Sequence, residues 1–312
     1  MSSSARVVAG DVRALARAIS VVEDDPGGSG SLLREVFPHT GRATVIGVTG
    51  APGSGKSSLV DRLVAAFRAQ GKRVGVVAVD PSSAYSGGAI LGDRVRMQGH
   101  AEDEGVFIRS MASRGHLGGL SRAASDAVDL LDAAGYDPVI IETVGVGQDE
   151  IEIARAADVV CVVLVPGMGD DIQAIKAGIL EIADVFVINK ADRPGADRVA
   201  ADLDAMMALV PAAAAIRPPI FQTIATTGEG ITALRDGLVA FVDAAGAKRK
   251  AKRRWERAEL RFLSVLTDRF VRDVRETLLP GDRFAEIVTE IAERRLDPYT
   301  AADRVLGGGK DR

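Results

Sequence analysis

The chain has 312 residues, enough for one large α/β domain with appendages or for two domains. Hydrophobic residues make up 47% of it and charged residues 26%, which excludes a disordered or collagen-like chain. With a net charge of -4, the chain does not have the excess of basic residues that is typical of nucleic-acid-binding proteins. Its single cysteine, Cys161, excludes an internal disulfide framework.

The apolar segments of the chain are short. The longest run, residues 159–166, is far below the ~18 residues that span a bilayer. The first residues lack the apolar core of a signal peptide. We therefore expect a cytoplasmic protein that binds neither a membrane nor nucleic acid.

Residues 11–37 begin the predicted secondary structure as one or two amphipathic helices. The Pro-Gly-Gly-Ser-Gly stretch at 26–30 interrupts them and predicts a flexible joint. We assign residues 1–41 to an N-terminal helical extension.

From Arg42 onward, short runs rich in valine and isoleucine alternate with longer helical stretches. Such runs, which lack a clean polar alternation, are typical of strands buried on both faces. The repetition predicts an α/β domain over residues 42–246, with a mostly parallel central sheet and helices on both faces. The predicted strands are 44–50, 73–80, 105–110, 138–145, 159–167, 185–192 and 219–225.

A phosphate-binding loop follows the first predicted strand. Residues 50–57 match the pattern GxxxxGK[ST] and open a helix, which is the context that a P-loop NTPase requires. Backbone N–H groups would surround the phosphates, Lys56 would reach the β- and γ-phosphates, and the Ser57 hydroxyl would bind Mg²⁺. Gly145 would let the backbone approach the γ-phosphate. The nucleotide contacts predicted for the loop come from Gly50, Ala51, Pro52, Gly53, Ser54, Gly55, Lys56, Ser57 and Ser58.

Carboxylates near strand ends are the candidate metal ligands, because phosphoryl transfer depends on Mg²⁺ and a positioned water. Asp80 ends the second strand, Asp93 lies in a glycine-rich stretch typical of a switch, and Glu142 ends the fourth strand. We expect Ser57 and Asp93 to bind Mg²⁺ directly, Glu142 to act through a bound water, and Asp80 to orient water or complete the metal site. Each carboxylate has an alternative role as a strand-end cap. The predicted metal ligands are Ser57, Asp80, Asp93 and Glu142, and the predicted catalytic residues are Lys56, Asp80 and Glu142.

The sequence Asn189-Lys190-Ala191-Asp192 ends the sixth predicted strand and matches NKxD, the guanine-reading motif of GTPases. Asp192 would accept hydrogen bonds from guanine N1–H and the 2-amino group, which adenine does not offer. Asn189 would brace the loops, and the aliphatic stem of Lys190 would lie along the base. GTP and GDP are therefore the expected ligands. A loop at 224–230 follows the last strand, and we predict base contacts from Ala225, Thr226 and Thr227.

Beyond Gly246 the chain is predicted to be helical. The basic run 248–254 is interpreted as the solvated first turn of a long helix, with a nucleic-acid or membrane patch as the alternative. Apolar residues then recur at helical spacing from Leu260 to Leu278 and from Phe284 to Ile291. We assign residues 247–312 to a C-terminal helical hairpin, whose apolar stripe would fold onto the sheet or pair with a second copy.

The chain resembles the methylmalonyl-CoA mutase-associated GTPases of the MeaB/ArgK type over roughly residues 8–306. The segments that carry the resemblance are GVTGAPGSGKSSL, VAVDPSS, GGAILGDRVRM, FIRSMASRGHLGGL, ETVGVGQ, PGMGDDIQAIKAGILEIAD and NKAD. The resemblance implies a SIMIBI-class GTPase that hydrolyses GTP to GDP and phosphate. It also implies a chaperone of an adenosylcobalamin-dependent acyl-CoA mutase, which gates cofactor loading and protects or reactivates the mutase.

The same resemblance implies how the chain communicates with its partners. It implies a homodimer through the C-terminal arm at 255–295, and an adenosyltransferase is a candidate third component. Asp80 to Asp93 would form the first switch, the segment after Glu142 the second, and residues 167–176 an additional one. Two side chains keep two interpretations each. Gln148 would orient the attacking water or face the partner, and His116 is interpreted as a structural or partner-facing residue, with a general base as the alternative.

Two other functions share this architecture. A nickel metallochaperone GTPase would carry clustered histidines or cysteines, but this chain has three scattered histidines, His39, His100 and His116. An ATP-dependent metabolite kinase would use the same loop, but the NKAD sequence opposes adenine. A nucleotide-gated binding module, in which hydrolysis is incidental, is close to the main interpretation.

Overall fold

The structure is a computed structural model that describes residues 2–24, 28–80, 98–100, 102–112, 122–143, 153, 155–167, 182–208 and 217–307. The chain divides into two compact units, Met1–Arg253 and Arg254–Arg312.

The first unit contains a seven-stranded sheet in which all paired strands are parallel. Its order is β3-β2-β4-β1-β5-β6-β7, so β1 lies between β4 and β5 at the point where the chain direction across the sheet reverses. The strands are β1 (Val45–Thr49), β2 (Val74–Asp80), β3 (Val106–Ala112), β4 (Val139–Thr143), β5 (Val159–Leu164), β6 (Val185–Asn189) and β7 (Ile220–Thr223).

Helices cover both faces of this sheet, as predicted for the fold class. Those of the first unit are α1 (Ser3–Val8), α2 (Val12–Asp24), α3 (Gly30–Val36), α4 (Lys56–Arg68), α5 (Arg122–Ala133), α6 (Ala196–Ala208) and α7 (Ile231–Ala244). A long helix, α8 (Gly246–Thr277), leads into the second unit, which also holds α9 (Arg283–Ala292) and α10 (Pro298–Gly307). Every described helix is too short or too polar to cross a bilayer.

The apolar core forms two clusters, one on each face of the sheet. In β5, Val160 and Val162 belong to the cluster that includes α2, α5 and α6. Their neighbours Cys161 and Val163 belong to the cluster that includes α4 and α7. Because alternate residues of a strand point to opposite faces, a strand covered on both sides must be apolar throughout. This explains the continuous valine and isoleucine runs.

The N-terminal helices pack on the face that α5 covers. Leu15 and Ile19 of α2 are fully buried in the same cluster as Leu131 of α5. The chain then enters β1 through a turn that Asp132 fixes, because its carboxylate accepts hydrogen bonds from the N–H groups of residues 41–43. The extension is thus held by apolar burial and by a buried carboxylate.

The start of α8, up to Arg253, belongs to the first unit and is bonded within it at the edge where the strands begin. Arg249 and Arg253 donate to one oxygen of Asp184, at 2.5 and 2.8 Å. Arg253 also donates to the carbonyls of Ala157 and Asp158, at 3.2 and 2.9 Å. The basic run was interpreted as a solvated first turn, and for these two arginines that interpretation is wrong. Their role is to neutralise a buried carboxylate that precedes β6.

Within the second unit, α8 leaves many large apolar side chains in contact with solvent. Those exposed on α8 are Trp255, Leu260, Phe262, Leu263, Leu266, Phe270 and Val271. On α9, Phe284 and Val288 are exposed in the same way. α8 contacts α9 through Arg275, whose guanidinium lies 4.3 Å from the centre of the Phe284 ring on α9.

Candidate functional site

The glycine-rich loop joins β1 to α4 at the carboxyl ends of the strands. Its backbone approaches neighbouring groups so closely that side chains would clash. A Cβ on Gly50, whose φ is +139°, would lie 2.2 Å from the carbonyl oxygen of Val163. A Cβ on Gly55, whose φ is +88°, would lie 2.5 Å from Nδ2 of Asn189. Glycine is therefore required at both positions.

The loop lies where an open α/β sheet binds its ligands. In such sheets the binding crevice opens at the carboxyl ends of the strands, where the strand order reverses. Here that point is the end of β1, because β4 and β5 flank β1 on opposite sides. The N-terminus of α4 begins at Lys56 and adds the free N–H groups and positive dipole end that favour phosphate.

Lys56 is buried and its ammonium lies within the loop. It donates to the carbonyl oxygens of Gly50 and Ala51, at 2.7 and 3.0 Å. The predicted phosphate-binding lysine is thus held on its own loop by two hydrogen bonds.

Ser57 and Glu142 meet where neighbouring strands β1 and β4 end. The Ser57 hydroxyl donates to Oε1 of Glu142 at 2.6 Å, and both residues are buried. A hydroxyl and a carboxylate are the hard oxygen donors that Mg²⁺ prefers, so the residues present fit that ion.

The remaining predicted metal ligands are placed less fully. Asp80 is the last residue of β2, which pairs with β4 and therefore ends at the same edge of the sheet. The side chain of Asp80 lies outside the described part of the structure. Asp93 and Gly145 lie wholly outside it. The same holds for His116, Gln148 and residues 168–176 of the additional switch. Within the described residues, no group of three or more His, Cys, Asp or Glu side chains could hold a metal ion.

Asn189 braces the predicted base loop against the phosphate loop. Its Nδ2 donates to the carbonyl of Ser54 at 2.9 Å, and its Oδ1 accepts from Thr223 Oγ1 and from the N–H of Ala225, both at 3.2 Å. Lys190, which has a positive φ of 56°, donates from Nζ to the carbonyl of Gly53 at 2.7 Å. The two nucleotide motifs therefore form one connected network.

Asp192 follows Lys190 and is exposed. Its carboxylate makes no hydrogen bond or ion pair with any residue that the structure describes. The carboxylate can therefore accept hydrogen bonds from a ligand, which is the role predicted for it.

The loop at 224–230 is a tight turn closed on itself. Ile224 and Glu229 form an antiparallel bridge, and the N–H groups of Thr227 and Gly228 donate to the carbonyl of Ile224. Ala225 is buried beside Asn189, whereas Thr226 and Thr227 are exposed. The three predicted base contacts thus belong to one hydrogen-bonded turn that Asn189 connects to the NKAD segment.

Sequence reasoning missed Arg62, which bonds this turn to α4. Its guanidinium donates to the carbonyls of Ala225 and Thr226, at 2.9 Å each. No motif marks this arginine, because its partners lie more than 160 residues away in the sequence. Only the packing of α4 beside α7 brings them together.

Cys161 has no role in the site. It lies in the centre of β5 and is fully buried, and burial raises the pKa of its thiol to about 12. A thiol protonated at neutral pH is a poor nucleophile. The residue acts as a small apolar side chain.

Comparisons with known proteins identify relatives along nearly the whole chain. Residues 15–278 match the family model described as methylmalonyl Co-A mutase-associated GTPase MeaB. A Pyrococcus abyssi protein named as a GTPase is 46% identical over 97% of this chain and 96% of its own length. A Caenorhabditis elegans protein, named methylmalonic aciduria type A homolog, mitochondrial, is 35% identical over 80% of this chain and 67% of its own length. The crystal structure of LAO/AO transport system kinase matches with a TM-score of 0.70 at 27% identity, covering 99% of this chain and 96% of that one.

Proposed function

Because this chain belongs to the family of methylmalonyl-CoA mutase-associated GTPases and is therefore a GTPase, we propose that it serves an adenosylcobalamin-dependent acyl-CoA mutase. The match of the family model to residues 15–278 carries this proposal. The same match confirms that the chain belongs to the family whose motifs it resembles. The name of the nematode relative, a methylmalonic aciduria type A homolog, supports the same partner.

In the proposed site, residues 50–58 hold the phosphates of GTP, and Lys56 turns its ammonium from the loop carbonyls toward the β- and γ-phosphates. Ser57, Asp80, Asp93 and Glu142 would hold Mg²⁺, which supplies positive charge at the phosphates when bound. Asp80 would also orient the attacking water, and Glu142 would reach Mg²⁺ through a bound water. The short bond from Ser57 to Glu142 supports this assignment, because it places a hydroxyl and a carboxylate side by side, and both are oxygen ligands that Mg²⁺ prefers.

The proposed base site consists of Asp192, the stem of Lys190 and the turn at 225–227. Asp192 reads guanine N1–H and the 2-amino group, while Asn189 holds the two loops together. The carboxylate of Asp192 has no partner among the described residues, which supports this role.

The proposed output is a change in affinity for the mutase. A nucleotide shifts a conformational equilibrium only by the difference in its affinity for the two states, so the GTP and GDP complexes must bind the mutase differently. Hydrolysis would then time the loading of the cobalamin cofactor and the protection or reactivation of the mutase. An adenosyltransferase would join the assembly as the source of the loaded cofactor.

A homodimer is also proposed, with the C-terminal helices as its contact. The large apolar side chains that α8 and α9 expose support it, because exposed apolar surface is typical of protein-protein interfaces. A second copy presents the same surface, so the contact would be self-complementary.

The test of the mutase proposal is GTP hydrolysis with and without a purified adenosylcobalamin-dependent acyl-CoA mutase. ATP is the substrate control, and Lys56→Ala is the variant control for contaminating hydrolases. We expect stimulation that requires GTP, the mutase and Lys56 together. GTP turnover that is indifferent to the mutase would reject the proposed partner and favour a metallochaperone. Stimulation of ATP turnover by a small metabolite would instead favour a kinase.

A further inference from the structure

Arg62 connects the helix that follows the phosphate loop to the turn that follows β7. From α4, its Nε donates to the carbonyl of Ala225 and its Nη2 to the carbonyl of Thr226, at 2.9 Å each. The guanidinium is a planar fork, so two bonds from it fix both carbonyls in direction as well as in distance. The orientation of the turn is therefore set from α4.

Fixing these carbonyls also fixes one N–H group. The peptide bond between Ala225 and Thr226 is trans, and in a trans peptide the carbonyl oxygen and the N–H point in opposite directions. The N–H of Thr226 therefore points away from Arg62.

The neighbouring N–H groups of the turn are already used. Ala225 donates to Oδ1 of Asn189 at 3.2 Å, and Thr227 donates to the carbonyl of Ile224 at 3.1 Å. The N–H of Thr226 has no acceptor among the residues that the structure describes. It is the donor in this part of the turn that a ligand can use.

We propose that Arg62 is a positioning residue for guanine recognition, which holds the N–H of Thr226 toward O6 of the base. This inference rests on the proposed base site at Asp192, because that site brings the base to the turn. O6 of guanine accepts a hydrogen bond, whereas adenine carries an amino donor at the same place. The fixed N–H would thus add to the discrimination that Asp192 provides at the other edge atoms of the base.

The same contact links base binding to phosphate binding. α4 begins at Lys56 and Ser57, and Arg62 lies in the same helix, so one rigid element orients both ends of the nucleotide site. Arg62 touches neither the base nor the phosphates in this proposal and acts only through the turn.

The test compares GDP with 6-thio-GDP in displacing a fluorescent GDP analogue from the full chain. The thio nucleotide keeps the N1–H and 2-amino groups that Asp192 reads, but its sulfur is a weak acceptor. The wild-type protein should prefer GDP. Arg62→Ala should weaken GDP by about three- to tenfold, the range expected for one hydrogen bond. The same variant should weaken the binding of 6-thio-GDP by less than about twofold, because the hydrogen bond from the N–H of Thr226 to the sulfur is already weak.

Arg235→Ala is the matched control. Arg235 lies on α7 and donates to the carbonyl of Ala66 on α4 at 3.2 Å, so it joins the same two helices without contacting the turn. Both nucleotides should bind this variant as they bind the wild type. Arg62→Lys carries the test if the alanine variant does not fold. Its single ammonium lacks the fork and should show the same selective loss for GDP, to a smaller extent.

Equal losses for GDP and 6-thio-GDP in the Arg62 variants would show a merely structural arginine and overturn the inference. Unchanged GDP affinity, or a wild-type protein that does not distinguish the two nucleotides, would also overturn it. A wild-type protein that binds ADP as tightly as GDP would instead reject the guanine site itself.

Discussion

At the scale of single residues, Asp192 is the side chain proposed to select guanine over adenine. We expect Asp192→Asn to weaken GTP binding by at least about 100-fold, because an amide presents a donor where guanine also presents donors. The same change should admit xanthosine triphosphate, whose carbonyl at position 2 accepts from the new amide. Competitive displacement of a fluorescent GDP analogue measures both effects.

The control for Asp192→Asn is Asp202→Asn on α6. Among the described residues, Asp202 forms a single 4.0 Å ion pair, with Arg198 at the surface, and such pairs contribute little. This variant should bind GTP as the wild type does. Unchanged GTP affinity in Asp192→Asn would reject the assigned role of the carboxylate.

Glu142 is the second residue whose role can be tested alone. Glu142→Gln keeps the shape of the side chain and an oxygen that accepts from Ser57, but it removes the charge beside the metal site. We expect the Mg²⁺ concentration for half-maximal GTP hydrolysis to rise about 10- to 100-fold, the usual cost of losing a group that orients a metal ligand. A magnesium titration at saturating GTP measures it.

Binding of GDP without Mg²⁺ is the internal control for Glu142→Gln. It should change little, because the residue acts on the cation and not on the base. A variant with the wild-type magnesium dependence would assign Glu142 to the fold rather than to the metal site.

At the scale of elements, α4 connects the nucleotide loop to several other parts of the first unit. Arg62 bonds the base turn, Asp61 lies 3.2 Å from Nε2 of His100, and Arg68 forms an ion pair with Asp103 at 2.8 Å. The contacts from Asp61 and Arg68 hold His100 and Asp103 against the helix. Removing them should therefore affect stability before it affects chemistry.

The contact of α4 with Asp103 predicts a pH dependence. The hydrogen bond from Arg68, together with the N–H of Gly105, lowers the pKa of the Asp103 carboxyl below its ordinary value of 3.8. A lowered pKa means that the stabilisation is present at neutral pH and is lost as the pH falls through the pKa of the folded state. Asp103→Asn should therefore reduce the free energy of unfolding at pH 7 and reduce it less near pH 3.

The expected difference at pH 7 is below about 1 kcal/mol, because the pair is partly exposed to solvent. Urea unfolding of the wild type and the variant at both pH values measures it. A gap that is the same at pH 7 and at pH 3 would show that the ionised carboxylate is not what stabilises this contact.

The elements themselves were largely predictable. All seven predicted strands overlap β1–β7, because a run such as Val159–Leu164 is apolar enough to be recognised as a strand with two covered faces. The order of the strands was not predictable from composition, since pairing β1 with both β4 and β5 depends on contacts far apart in sequence. The partner of Arg249 and Arg253, the buried Asp184, was missed for the same reason.

At the scale of the whole molecule, the candidate site joins segments that are distant in sequence. The phosphate and NKAD motifs could be identified because each is local, and the bond from Asn189 to Ser54 joins them across 135 residues. The contacts Ser57–Glu142 and Arg62–Ala225 have no local signature, because each depends on which strands and helices are neighbours. Motifs therefore predicted the ligand, while the structure was needed to find the residues that orient the motifs.

The oligomeric state is the property of the whole molecule that the exposed C-terminal helices predict. Phe262, Leu266 and Phe270 are 65%, 50% and 56% exposed, and their spacing of four places them on one face of α8. Leaving such a face in water is unfavourable by about 25 cal/mol for each Å² of apolar surface, so a second copy that covers it would be stabilised. We expect a dimer at micromolar concentration in sedimentation velocity.

The double variant Phe262→Asp with Phe270→Asp should sediment as a monomer, because pairing would then bury unpaired charges. Val239→Asp is the matched control, since Val239 is 44% exposed on α7 in the first unit and does not belong to that face. It should remain a dimer. A monomeric wild type, or a double variant that stays dimeric, would show that this face of α8 does not form the contact between copies.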